Sequence, residues 1–170
     1  DDTTMELGFS GTQGKNQLKK NASVIGSDLT FKWRPSEGGK YHALIWSSEY
    51  LYGQRPGLTQ DRVVGTDPGT GDPITVQDSL ERLGGVASWL QYQFAERWWV
   101  QGRYEYVGLP HSPAINTATK ESLLLAFFPS EFSGLRLQYD WIQDLARPQN
   151  DHTIAFQYNV TVGAHPAHAY

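Results

Sequence analysis

Cysteine is absent from the 170-residue chain, and methionine occurs once. Disulfides, thiolate metal sites and a cysteine nucleophile are therefore excluded together. Long apolar runs are missing too. The longest, Leu123 to Phe128, is six residues, against the roughly 20 that a membrane-spanning helix needs. The formal charge of -4 is small and of the wrong sign for a nucleic-acid partner. No stretch holds a helical apolar period for three turns; the nearest, Gln77 to Leu83, reads as one helical turn inside a loop. The length and a mean hydropathy of -0.50 suit one soluble domain of ordinary size. What the chain does have is aromatic side chains, 13% of it, with six Trp and nine Tyr. A helical membrane protein is excluded. A membrane β-barrel is not, because its strands hide half their residues from hydropathy averaging.

Period two dominates between clusters of the 17 Gly and 9 Pro, and it predicts eight strands. The first, about Met5 to Gly11, sets Met5, Leu7 and Phe9 against Glu6, Gly8 and Ser10. The second, about Ser27 to Arg34, sets Leu29, Phe31 and Trp33 against Thr30, Lys32 and Arg34. The third, Tyr41 to Gly53, places Leu44, Trp46, Tyr50 and Tyr52 on one face and Glu49 on the other. Gly85 to Phe94 is the fourth, with Val86, Leu90, Tyr92 and Phe94 opposing Gln91 and Gln93. The fifth, Trp98 to Val107, sets Trp98, Val100, Tyr104 and Tyr106 against Gln101, Arg103 and Glu105. The sixth, Glu121 to Phe128, is apolar on both faces, which leaves its orientation open. The seventh, Leu135 to Ile142, sets Leu137, Tyr139 and Trp141 against Arg136, Gln138 and Asp140. The eighth, His152 to Val162, sets Ile154, Phe156, Tyr158 and Val160 against Thr153, Gln157 and Asn159. The fold class is all-β.

The connections alternate in length. Long stretches are expected over 12–26, 54–84, 109–120 and 143–151, with short ones over 35–40, 95–97 and 129–134. In an up-and-down meander, alternate connections lie at the same end. The long loops therefore gather at one end, and the tight turns and both termini at the other, as in an outer-membrane barrel. The acidic, polar start Asp1-Asp2-Thr3-Thr4 carries no targeting signal, so the chain is expected to be mature, excised from something larger, or never exported.

Alternation does not say which face is wet. A soluble calyx would turn the apolar face inward around a small ligand; a membrane barrel would turn it outward to lipid. Trp33, Tyr52, Trp98, Tyr106 and Trp141 sit near strand ends, where interfacial girdles are expected. The polar faces carry balanced charge: Lys32, Arg34, Arg103 and Arg136 against Glu6, Glu49, Glu105 and Asp140. Balanced mid-strand charge points to ion pairs in an enclosed lumen, because an unpaired buried charge costs several kcal/mol. The chain also ends on an aromatic residue, Tyr170. Together these features favour the lipid-facing reading.

Several segments carry a likeness to a known group. They are Ser27-Asp28-Leu29-Thr30-Phe31-Lys32-Trp33-Arg34-Pro35, Arg97-Trp98-Trp99-Val100 and Tyr104-Glu105-Tyr106-Val107-Gly108-Leu109-Pro110. Phe127-Phe128-Pro129-Ser130-Glu131-Phe132-Ser133, Leu135-Arg136-Leu137-Gln138-Tyr139 and the terminal Gly163-Ala164-His165-Pro166-Ala167-His168-Ala169-Tyr170 complete it. From about Leu29 onward the chain resembles the C-terminal part of Gram-negative outer-membrane barrels of the porin-like or TonB-dependent-receptor-like kind. Members of that group are considerably longer, so the resemblance is to their last eight strands. It implies an outer-membrane location, periplasmic termini, a lipid bilayer and the barrel assembly machinery as partners (Tyr170 being the assembly signal), and no particular cargo.

Chemistry is sparse. A lipid-modifying hydrolase would need a nucleophile, a base and an orienting group together. His42, His111 and His152 are the candidate bases, with Ser112 or Asp151 able to approach the last, but no spacing supports a triad. No enzymatic activity is expected. His165 and His168 make an incomplete metal site with Pro166 between them. Asp67-Pro68-Gly69-Thr70-Gly71-Asp72 lacks the further acidic ligands that calcium would want and reads as a turn. Asn21-Ala22-Ser23 and Asn159-Val160-Thr161 match the glycosylation pattern, by chance if the chain is bacterial. Neither cofactor nor metal is expected.

The expectation is a transmembrane antiparallel up-and-down β-barrel, eight strands in one domain over 1–170, acting as a passive pore or porin-like element. If the eight strands close alone, Arg34, Arg103 and Arg136 would pair with Glu49, Glu105 and Asp140, plug the lumen, and leave a membrane anchor or surface-binding scaffold. In a larger barrel, completed by missing strands or a neighbouring chain, the same residues would line a water-filled channel of weak selectivity. A soluble calyx is the third possibility.

Overall fold

The computed structural model describes residues 2–36, 41–79, 81–110, 117–145, 147 and 149–162, with the side chains of 60 and 78 outside that description. Ten strands follow in chain order: β1 (Asp2–Lys15), β2 (Asn21–Arg34), β3 (Ala43–Gln54), β4 (Thr59–Thr66), β5 (Pro73–Ser79), β6 (Arg82–Ala95), β7 (Trp98–Leu109), β8 (Ala118–Ser130), β9 (Ser133–Asp144) and β10 (Asp151–Val160). Eight form one antiparallel sheet in the order β1-β2-β3-β6-β7-β8-β9-β10, and β4 pairs with β5 in a separate two-stranded sheet. The eight expected strands and their meander order are those of the large sheet.

Register explains the length of these strands. Phe31 stands opposite Met5 and Trp46, Trp46 opposite Leu90, Val100 opposite Leu125, and Leu137 opposite Phe156. These pairs form two apolar levels, Met5–Phe31–Trp46–Leu90 and Val100–Leu125–Leu137–Phe156, and such cross-strand pairs are what stabilise a sheet. The same registers settle the strand whose orientation was open. Leu123, Leu125 and Phe127 share the face of Tyr139, Leu137 and Leu135, while Leu124 and Ala126 share that of Gln138 and Arg136.

Three sequence expectations are corrected. The segment 12–26 is mostly strand, because β1 runs to Lys15 and β2 starts at Asn21. Only 16–20 turns, with the Asn16 side-chain oxygen accepting from the Leu18 and Lys20 amides. The stretch 54–84 is not a plain loop: β4 and β5 fold back on each other inside it. Their turn is the Asp67–Asp72 segment, where the Asp67 carboxylate accepts from the Gly69 and Thr70 amides. Within Gln77 to Leu83 there is no helical turn among the described residues; Gln77 ends up in β5 and Leu83 in β6. The other two loops shorten, with β7 reaching Leu109, β8 starting at Ala118 and β9 reaching Asp144.

Among the described residues no second layer covers the large sheet and no large side chain is fully buried. Yet one face is sheltered through the middle strands. On β9, Asp140 is 7% exposed beside Tyr139 at 44%; on β8, Ala126 is 2% exposed and Leu123 58%. A lone sheet can shelter one face only by curling around it, so the polar face is concave and the apolar face convex. The shelter fades at the two margins, where β1 and β10 are exposed along their length. The sheet is open there. These eight strands therefore do not close on one another, which corrects the expectation of a barrel plugged by this chain alone.

Candidate functional site

All seven residues expected to line a lumen, Lys32, Arg34, Glu49, Arg103, Glu105, Arg136 and Asp140, fall on the concave face by strand parity. Cα registers place Asp28, Glu49, Ala87, Glu105 and Lys120 at one level across five strands. The next level holds Thr30, Ser47, Trp89, Arg103, Ser122 and Asp140. Polar and charged groups thus form two belts across the middle of the sheet.

The ion pairs in those belts differ from the expected ones. Arg103 Nη2 donates to Glu105 Oε1 at 2.8 Å, as expected. Asp140 is held by Lys120, whose Nζ lies 3.2 Å from Oδ2, and not by Arg136; the same ammonium is 3.9 Å from Glu105. Gln138 donates a further bond of 2.8 Å to Asp140. Arg136 stands opposite Ala126 and Gln157, where it meets no acid among the described residues, and its guanidinium carbon sits 5.9 Å from the Phe128 ring centroid. Lys32 pairs with Glu6 at 3.2 Å on the exposed margin. Glu49 has no ionic or hydrogen-bond partner among the described residues. Arg103 also lies over Trp89, 5.5 Å from its centroid.

Two contributors escaped the sequence reading. Lys120 lies just before the expected start of its strand, and moving that start back would have set it in phase with Ser122. Trp89 points inward against the aromatic pattern of its strand, and only register reveals the arginine beside it.

The five expected girdle residues all lie on the convex face. Trp33 and Trp98 stand near the tight-turn end, and Tyr52, Tyr106 and Trp141 near the other. Trp98 stacks at a tilt on Phe127, 4.6 Å between centroids. His42 meets the Tyr92 hydroxyl at 3.2 Å at the turn end, and His152 meets that of Tyr139 at 2.6 Å at the opposite end. These histidines are far apart, and Asp151 is engaged by Arg147 at 2.8 Å. His111, Ser112, His165, His168 and Tyr170 lie outside the described residues. On the convex face the Trp141 indole N–H is buried without a hydrogen-bond partner among the described residues, whereas the Trp46 indole has one. Trp46 Nε1 donates to Ser88 Oγ at 3.0 Å, and the Ser48 hydroxyl donates to the same oxygen at 2.7 Å.

No family model matches the chain, and no solved structure matches it. A protein of Aquifex aeolicus (strain VF5) described as an uncharacterized protein is 26% identical over 158 residues, covering 86% of this chain and 30% of that protein. The chain thus spans about 30% of the length of the curated relative it matches.

Proposed function

We propose that the chain forms part of the wall of a transmembrane β-barrel in a bacterial outer membrane, and that this barrel is a passive, porin-like pore. One observation carries the reading: the apolar face of the curled sheet is the exposed one, and the polar, charged face is the sheltered one. In water, each large side chain left outside forgoes roughly 1.5–3 kcal/mol of burial. In lipid that arrangement is the stable one, and the concave face becomes the wet one. A ligand-binding calyx requires the reverse arrangement.

Three further features support this reading. The strands of the large sheet are 10 to 14 residues long, and a tilted strand needs roughly 9–11 to cross the hydrocarbon. On β7 the girdle residues Trp98 and Tyr106 are about 27 Å apart along the strand, or roughly 20 Å in projection at a tilt of about 40°. That is close to the height of a lipid-facing band. Finally, Ser48, Ser88 and the Trp46 indole bond to one another, as polar groups must where no water reaches them. The open margins at β1 and β10 favour a barrel completed by further strands, and the start of β1 and end of β10 then share the periplasmic end with the tight turns. Mutual neutralisation within Arg103, Glu105, Lys120 and Asp140 gives a lumen of weak charge selectivity.

The chain is expected to stay monodisperse only in detergent or lipid and to give steady conductance steps in planar bilayers. Monodisperse behaviour in plain buffer would sink the membrane reading. Insertion without any conductance would sink the pore and leave an anchor displaying its loops.

A further inference from the structure

The concave face holds a pocket of about 430 Å³ toward the end that carries the β4–β5 hairpin. Its origin is legible in side-chain size. Gly53, Gly85 and Ala87 lie on neighbouring strands and project almost nothing, while Val24, Leu51, Leu83 and Val107 rise around them as apolar walls. The small residues are fixed by close approach. A Cβ at Gly85 would lie 2.8 Å from the Tyr106 carbonyl oxygen, and one at the neighbouring Gly84 2.9 Å from that of Leu51. The bulge between Gly84 and Gly85 brings these backbones together, and larger residues there would have to push them apart.

Four charged residues line this pocket: Glu49, Arg55, Arg103 and Glu105. Arg103 and Glu105 are bonded to each other at 2.8 Å, which leaves Glu49 and Arg55 without an ionic partner among the described residues. They are not equivalent. Arg55 follows the last residue of β3 and stands at the rim. Glu49 lies six residues deeper on the same strand and is half-buried; its register partner Asp28 turns its carboxylate over Gly8 of β1, away from the pocket. Apolar walls above an uncompensated carboxylate are the composition of a site for an amphipathic cation.

We infer that this pocket binds a small organic ammonium, its charged head on Glu49 and its apolar body against Val24, Leu51, Leu83 and Val107. The site belongs to the concave face itself, whether or not that face lines a pore. Titration calorimetry of the full chain in lipid nanodiscs, with n-hexylammonium as the probe and empty nanodiscs subtracted, tests it. The unmodified chain should bind hexylammonium more tightly than hexan-1-ol or hexanoate. Glu49→Gln should weaken binding about tenfold or more, the scale of losing a charge-assisted bond, Glu49→Asp should restore part of it, and Ala87→Leu should reduce it by filling the pocket. Far-UV circular dichroism of each variant verifies that the sheet is intact. Hexanoate binding as tightly as hexylammonium would assign the pocket to Arg55 and overturn the inference. Equal affinity for hexan-1-ol, or an intact Glu49→Gln variant that binds like the unmodified chain, would overturn it too.

Discussion

Trp46 and Ser47 are consecutive residues of β3, and it is the tryptophan that is exposed, at 38%, while the serine is buried, at 4%. Ser47 shares a 2.8 Å bond with the Thr30 hydroxyl on the concave side. Trp46 is turned out beside Phe31 and Leu90. A sheet built to fold in water places such a pair the other way round. The inversion recurs at Tyr139 and Asp140, which makes it a property of the whole curled sheet.

The two faces should therefore respond oppositely to charge. Leu125 projects from the convex face between Val100 and Leu137, and Gln101 from the concave face between Gln91 and Leu124. In lipid, Leu125→Lys should cost about 2–4 kcal/mol, the range for a cation at the bilayer midplane. Gln101→Lys should stay within about 1 kcal/mol. Urea unfolding of both variants in bilayers measures the difference. An ordinary soluble sheet would instead tolerate Leu125→Lys.

Lys120 is the common partner of Glu105 and Asp140; without it Glu105 keeps Arg103, but the sheltered Asp140 carboxylate is left with no cation among the described residues. The loss for a fully buried partner is about 3–5 kcal/mol. Lys120 is about a third exposed, and solvent screening lowers the expected cost of Lys120→Met to about 1–2 kcal/mol. Adding Asp140→Asn should recover a good part of that, and a double-mutant cycle on unfolding free energies reads the coupling directly. Additive effects would show that the 3.2 Å contact contributes nothing.

The eight strands were legible because each lays apolar residues two apart across the convex face. Leu135, Leu137, Tyr139 and Trp141 spell out β9 without help from any neighbour. Toward the strand ends the alternation fails: Thr12–Lys15 is polar on both faces, and the adjacent Val24 and Ile25 put an apolar residue on each. The ends of β1 and β2 around Thr12–Lys15 and Asn21–Gly26 therefore looked like loop. The β4–β5 hairpin was hidden for another reason. Its register slips between Val63 and Gly65, and the resulting Val63-Val64 doublet breaks the period. The charged residues could be assigned to a face from parity alone, but not to partners. Pairing depends on register, and register set Arg136 against alanine and glutamine and brought Lys120 to the acids instead.

Glycine replacements should separate close approach from open space. Gly85→Ala places a Cβ 2.8 Å from the Tyr106 carbonyl oxygen, a backbone atom that cannot swing aside, and should cost about 1–3 kcal/mol as overpacking does. Gly102 has nothing within 4 Å of its virtual Cβ. Gly102→Ala should be neutral or slightly stabilising, by a few tenths to about 1 kcal/mol, because alanine has fewer unfolded conformations to lose. Thermal unfolding of the two variants side by side makes the comparison, and a neutral Gly85→Ala would mean that the bulge at Gly84 and Gly85 relaxes freely.

The open margin between β1 and β10 allows the sharpest test, and the absence of cysteine makes it clean. A disulfide needs Cα atoms within about 7 Å, a distance met across paired strands and not across a gap. Leu7 is exposed on β1, and Ile154, Phe156 and Tyr158 are exposed on β10. Leu7→Cys combined in turn with a cysteine at each of these three β10 positions covers the neighbouring registers a closing pair could adopt. With the sheet open to further strands, mild oxidation of the full chain in lipid should give no intrachain cross-link in any of the three, as judged by non-reducing gel mobility and mass spectrometry of linked peptides. A matched control, Leu7→Cys with Leu29→Cys, should cross-link readily, because those two residues are register partners in β1 and β2. An efficient intrachain link between β1 and β10 would mean that eight strands close without help. The concave face would then be only wide enough for its own side chains, and the pore would give way to an anchor.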